Sequence, residues 1–127
     1  MDGYLIDSNV ISNYFSGIFS ENATIFLSEV IDKVPNLSVV TKIEALSWRS
    51  PESAKENIVR LFVDISNIFG LSDTIVDECI EIRRNCKIKT PDAIIAATAI
   101  IHHLTLITSD NDFKKINHLQ TINPDDL

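Results

Sequence analysis

Cysteine is scarce in this chain. Only Cys79 and Cys86 occur in 127 residues, one within a predicted helix and one at its end. Two thiols so close in sequence cannot form a disulfide framework, and they supply too few ligands for a zinc site. The expectation is a reducing, cytoplasmic protein. Glycine is scarcer than usual, with three residues. Neither GxGxxG nor GxxxxGK(S/T) is present, so a nucleotide-cofactor reading has no support. No apolar run approaches the roughly 20 residues of a membrane span. The opening MDGYLIDSN lacks the basic and long apolar regions of a secretory leader. No membrane association is expected. Positive charge is also in deficit: 11 Lys and Arg stand against 18 Asp and Glu, for a net charge of −7. That balance argues against nucleic-acid binding by bulk electrostatics. It leaves open an enzyme that meets phosphates through a metal ion held by its acidic residues.

Repeats, linkers and low-complexity segments are missing too, and 45% of the residues are hydrophobic. One folded domain over residues 1–127 is the simplest organisation. Tyr4-Leu5-Ile6 reads as a buried strand ending in Asp7, with Ser8 and Asn9 as turn or cap residues. Val10, Ile11, Tyr14 and Phe15 follow at helical spacing as far as Gly17. A second helix is predicted over Glu21–Val34, broken by Pro35-Asn36. Leu37–Val40 is a second strand. Thr41 then caps a helix over Lys42–Trp48, with Glu44 as its capping-box partner. Ser50-Pro51-Glu52 opens a fourth helix whose apolar side carries Ile58, Leu61 and Phe62. Ile65–Leu71 is weakly strand-like, and Ser72-Asp73 starts a long helix to about Asn85.

Lys89–Ala99 is the most informative stretch. Thr90 is placed to cap, and Pro91 suits the first helical position, where a missing N–H costs nothing. Asp92 sits in the first turn, favoured by the helix dipole. Behind it the residues are apolar all round and mostly small, which marks a buried helix. Leu104–Thr108 is a further strand, and Leu119–Ile122 a last short one. Strands alternating with helices, without hairpin turns, predict an α/β protein with a parallel sheet covered on both faces.

In such a sheet, sites form beyond the carboxyl ends of the strands. Asp7, Glu44, Asp92 and Asp110 all fall at or just past predicted strand ends or helix starts, so the four carboxylates can meet at one rim. Taken singly, Asp92 also reads as an ordinary helix-start residue and Glu44 as a capping-box partner. Together they are costly: two like charges about 4 Å apart repel by roughly 4 kcal/mol at an effective dielectric near 20. Either protons or a cation must relieve this. Oxygen-only ligands suit Mg²⁺ or Mn²⁺. His102, His103 and His118 have no ligand spacing that would join them. A hard divalent ion on carboxylates points to phosphate-ester or phosphodiester hydrolysis. Arg83, Arg84, Lys87 and Lys89 form a basic cluster, either a solvated helix end or a phosphate-contacting patch.

The segments YLIDSNVIS, SVVTKIEALS, KIKTPDAIIAATAI and LTLITSDNDF, in that order, resemble a PIN-domain ribonuclease. The resemblance is greatest to the toxin half of a VapC-type toxin–antitoxin pair. It implies a PIN-like three-layer sandwich with a five-stranded parallel sheet flanked by helices, as a single PIN-like domain. It also implies a Mg²⁺- or Mn²⁺-dependent endoribonuclease that leaves a 5′-phosphate and a 3′-hydroxyl. Asp7, Glu44, Asp92 and Asp110 match its catalytic, metal-ligating positions. Ser8 and Asp112 match supporting ones, and Lys42, Arg83, Arg84 or Lys89 are candidates to hold the RNA backbone. The implied partners are an RNA substrate, a cognate antitoxin and a second copy in a homodimer. Tyr14, Phe15, Ile18, Phe19 and Trp48 are candidate antitoxin-groove residues, or ordinary core. Two alternatives stand beside this: a catalytically silent PIN-like binding module, and a PIN-type nuclease with another nucleic-acid substrate.

Overall fold

The computed structural model describes residues 3–127. The chain runs β1 (Gly3–Ile6), α1 (Ser8–Phe15), α2 (Glu21–Asp32), β2 (Asn36–Ser38), α3 (Val39–Ser47), α4 (Ser53–Ile65) and β3 (Asn67–Phe69). It continues through α5 (Asp73–Asn85), α6 (Thr90–Ile101), β4 (Leu104–Ile107) and β5 (Thr121–Ile122), with 3-10 turns over Asn111–Lys115 and Pro124–Asp126. The sheet has five strands in the order β3-β2-β1-β4-β5, and every pairing is parallel. It is the α/β three-layer architecture expected from the sequence.

Strand pleating divides the core in two. Leu5 and Leu106 face one side, with Ile75, Cys79 and Ile82 of α5 and the alanines of α6. Ile6 and Ile107 face the other, with Val10 and Ile11 of α1, Leu27 of α2, and Val59, Phe62 and Val63 of α4. Each fully buried Leu or Ile contributes about 1.5–3 kcal/mol. The small residues of α6 let it lie close against the sheet, and Ala93, Ala96, Ala97 and Ala99 are all inaccessible to solvent. No helix among the described residues is long and apolar enough to cross a membrane.

Several element boundaries differ from expectation for identifiable reasons. The Ser38 hydroxyl accepts a hydrogen bond from the Val40 amide at 3.1 Å, so α3 begins at Val39 and β2 stops at Ser38. Thr41 is therefore a buried residue inside the helix, and there is no Thr41–Glu44 capping box. Lys89 rather than Thr90 is the N-cap of α6, with no side-chain cap bond. The second helix ends at Asp32, short of Val34. In α4, Phe62 is buried as expected, but Ile58 and Leu61 are exposed, and Val59 and Val63 fill the core in their place. β4 and β5 are shorter than the predicted Leu104–Thr108 and Leu119–Ile122. Gly17 ends α1 with φ +71, a backbone conformation in which glycine carries no side-chain penalty.

Candidate active site

β2 and β4 lie on opposite sides of β1. Successive connections thus leave β1 in opposite directions, and a crevice opens past its carboxyl end. Asp7 and Thr108 sit there because they are the first residues beyond the paired Ile6 and Ile107. The Asp7 amide donates to the Ile107 carbonyl at 3.0 Å, carrying the β1–β4 ladder one step further.

The Asp7 side chain is 5% exposed and tightly held. Its Oδ1 accepts from the Ser8 amide at 2.8 Å, capping α1. Its Oδ2 accepts from the Thr108 hydroxyl at 2.7 Å. The Thr108 oxygen in turn accepts from the Asp110 amide at 3.1 Å. Asp110 Oδ1 accepts from the Asp112 amide at 2.9 Å and so caps the following 3-10 turn. On the other side, the Ser8 hydroxyl donates to Glu44 Oε1 at 2.9 Å. One chain of hydrogen bonds therefore runs from Glu44 through Ser8, Asp7 and Thr108 to Asp110 and Asp112. Ser8 links the first two carboxylates, and Asp112 contributes its amide rather than its carboxylate.

Asp92 enters from α6, in the first turn as expected. Its carboxyl is pushed above the ordinary range, first by desolvation, then by the negative charges of Asp110 and Glu44. Lys89 opposes the rise, and Asp112 adds to it. Burial raises the Asp7 carboxyl to about 6, against the lowering effect of its bonds to Thr108 and Ser8, with Glu44 and Asp92 adding to the rise. Carboxylates from four separate segments thus feel one another's charge at a single rim.

The donor set is all oxygen, which fits a hard divalent cation such as Mg²⁺ or Mn²⁺. Two carboxyls pushed upward, first by burial and then by neighbouring like charges, fit a place where a cation would be favoured. Among the described residues, three buried side-chain oxygens have no hydrogen-bond partner: Asn9 Oδ1, Thr41 Oγ1 and Ser109 Oγ. Each belongs to a residue within three positions of Ser8, Glu44 or Asp110 in the sequence. However, among the described residues no three His, Cys, Asp or Glu side chains stand together closely enough to ligate one ion. Mutual repulsion favours side-chain rotamers that spread such charges apart.

Thr108 is the site residue that the sequence reading passed over as a strand end. A hydroxyl directly after an apolar strand and two residues before Asp110 was the available clue. The candidate groove aromatics are half-buried instead of free: Tyr14, Phe15, Phe19 and Trp48 pack on the α1–α4 core. Tyr14 stacks edge-to-face on Phe15, and Phe15 on Phe62. Ile18 alone of that group is largely exposed, at 66%.

Residues 4–119 match the family model of the PIN domain. The chain belongs to the PIN domain family. Solved structures agree. A toxin–antitoxin complex from Klebsiella pneumoniae contains a chain of 29% identity and TM-score 0.77, with 96% of this chain and 98% of that chain covered. VapBC2 from Rickettsia felis, bound to a DNA fragment from their promoter, matches at 19% identity and TM-score 0.78, covering 94% and 97%. DNA-bound VapBC from Salmonella typhimurium matches at 14% identity and TM-score 0.81, covering 98% and 99%. A comparison with curated protein sequences finds no match. PIN domains are nucleases as a family.

Proposed function

We propose that this PIN domain is a Mg²⁺- or Mn²⁺-dependent endoribonuclease, the toxin of a toxin–antitoxin pair acting in the cytoplasm. The observation that carries the reading is the hydrogen-bonded chain from Glu44 to Asp110 through buried Asp7, with Asp92 electrostatically coupled to it. Asp7, Glu44, Asp92 and Asp110 are the residues that would hold the ion. When bound, a divalent ion lowers the pKa of a coordinated water and neutralises charge on a phosphodiester oxygen.

The chain's own residues prepare that chemistry. Thr108 and the Ser8 amide fix both oxygens of Asp7. The Ser8 hydroxyl orients Glu44, and the Asp112 amide orients Asp110. Exposed Lys42 and Lys89 lie on the elements that carry Glu44 and Asp92, and supply positive charge for an RNA phosphate in an otherwise acidic protein. The antitoxin partner is supported by the toxin–antitoxin complexes among the structural neighbours. A small cavity of about 180 Å³ between α1 and α3, lined in part by Ser12, Glu44 and Trp48, offers it a docking face. A homodimer is part of the same proposal.

The deciding experiment is RNA cleavage by Asp92→Asn alongside Mn²⁺ titration calorimetry. The variant is expected to keep the fold and lose both cleavage and ion binding. Unchanged cleavage would overturn the site assignment. One observation favours a second reading, a silent binding module: no three ligand side chains yet converge among the described residues. Absence of Mn²⁺ binding to the wild type, both with and without single-stranded RNA, would favour that reading.

A further inference from the structure

Beside the rim, α1 and α3 face each other through small side chains. Ser8 and Ser12 are one turn apart on α1, and Glu44 and Trp48 one turn apart on α3. Ser8, Ser12 and Ala45 do not fill the space between the two helices, and the cavity of about 180 Å³ remains. Buried Ile11 and Val59 and half-buried Trp48 give it an apolar lining. Ser8 and Glu44 belong both to this lining and to the hydrogen-bonded chain of carboxylates. The cavity is therefore continuous with the rim.

Asn9 lines the same cavity. Its Oδ1 is buried without a hydrogen-bond partner, which costs the fold stability. Helix α1 does not need this side chain as a cap, because Asp7 caps it. The Ser12 hydroxyl donates to the Asn9 backbone carbonyl and leaves the side chain alone. Among the described residues, nothing uses the Asn9 acceptor. A donor from outside the chain would satisfy it, whereas an apolar protein side chain seated there would leave it unpaired.

We infer that this cavity receives one unpaired base of a single-stranded RNA, beside the phosphate that the rim would hold, and that Asn9 selects adenine or cytosine over uracil. The inference rests on the RNA-cleaving function proposed above. Trp48 offers a ring on which any base can stack. The Asn9 amide sets an acceptor next to a donor. Adenine and cytosine set an amino donor next to a ring-nitrogen acceptor, so the two edges match with two hydrogen bonds. Uracil carries a carbonyl in place of that amino group, and two acceptors repel. A base inside a duplex cannot turn out to reach the cavity as a splayed one can. With a net charge of −7, the chain has few phosphate contacts to spare, and contacts to a base gain weight accordingly. The cavity holds one group at a time, so a partner side chain docked in it excludes the base.

Trp48 is the single tryptophan of the chain, so its fluorescence reports directly on this cavity. The experiment titrates short oligoribonucleotides of A, C or U into Asp92→Asn with Mg²⁺ present, alongside cleavage of the same RNAs by the wild type. Oligo(A) and oligo(C) are expected to quench Trp48 and to bind at least about tenfold more tightly than oligo(U). Adding Asn9→Ala should bring the three within about twofold of one another while quenching persists, since stacking remains. In urea, Asn9→Ala should be at least as stable as the wild type, because it removes an unpaired buried acceptor; the lost selectivity is then not a folding defect. Equal binding of all three RNAs before the Asn9 change would overturn the role of Asn9. Cleavage by the wild type without any Trp48 response would overturn the cavity assignment and leave the nuclease reading standing. Selective quenching without cleavage would uphold base binding and overturn the nuclease reading.

Discussion

Asp7 and Glu44 stand at one rim and are held in opposite ways. Asp7 follows a central strand, is almost fully buried, and has both carboxylate oxygens engaged. Glu44 stands on the second turn of α3, is exposed, and is steadied by one serine hydroxyl. A charge placed like Asp7 is rigid and costly to the fold. A charge placed like Glu44 is adjustable and costs the fold little. The rim thus combines one fixed carboxylate with others that can move toward it, so changes at the inner position should register in stability and changes at the outer position in activity.

The largest stability effect is expected at Asp7. Its carboxyl is raised from 3.8 to about 6, so between those values the native state binds more protons than the unfolded chain. Stability therefore falls as pH rises through that window, and the penalty, on the order of 3 kcal/mol, is complete above it. Asp7→Asn removes the charge and keeps an acceptor for the Ser8 amide. With a chelator present, it should be more stable than wild type at pH 7.5 and little different at pH 3.5; with Mn²⁺ and no chelator, it should lose the RNA cleavage expected of the wild type. Urea titrations at the two pH values check this. Equal stability differences at both would break the contrast with Glu44.

Thr108→Val comes next. It strips a donor from Asp7 and an acceptor from the Asp110 amide. The expected cost is about 2 kcal/mol in denaturant unfolding, with reduced ion affinity. Ser8→Ala removes only the outer link to Glu44 and leaves the amide cap on Asp7. It should cost under about 1 kcal/mol and weaken ion binding measurably, because Glu44 is freed to rotate. Glu44→Gln should change stability by no more than about 0.5 kcal/mol and still abolish cleavage. A large stability loss in that variant would show that Glu44 is structural and erase the comparison.

How much of this could be read from the sequence differs from element to element. Asp7, Asp92 and Asp110 were legible because apolar strands and an alanine-rich helix bracket them, and strand ends fix where a parallel sheet places its site. Glu44 reaches the rim expected from its place just past β2, but from the second turn of α3 and not the first. Thr41 and Glu44 fit a capping box, but Ser38 lies upstream and caps first, which moves Glu44 into the second turn. The apolar face of α4 was not legible. Ile58, Val59, Leu61, Phe62, Val63 and Ile65 leave no single polar face, and tertiary packing made the choice. Thr108 was missed because its role depends on Asp7, a neighbour only after β1 and β4 pair.

That last contact also sets a timetable for synthesis. Asp7 and Thr108 are 101 positions apart, so the strand that brings them together leaves the ribosome long after β1. At about 5–20 residues per second, an N-terminal segment carrying Asp7 waits several seconds or more for its partner. During that interval β1 has no β4 to pair with. The incomplete chain carries the first acidic residue of the rim without the hydroxyl that fixes it. A nascent chain therefore carries an unfinished rim until β4 has emerged.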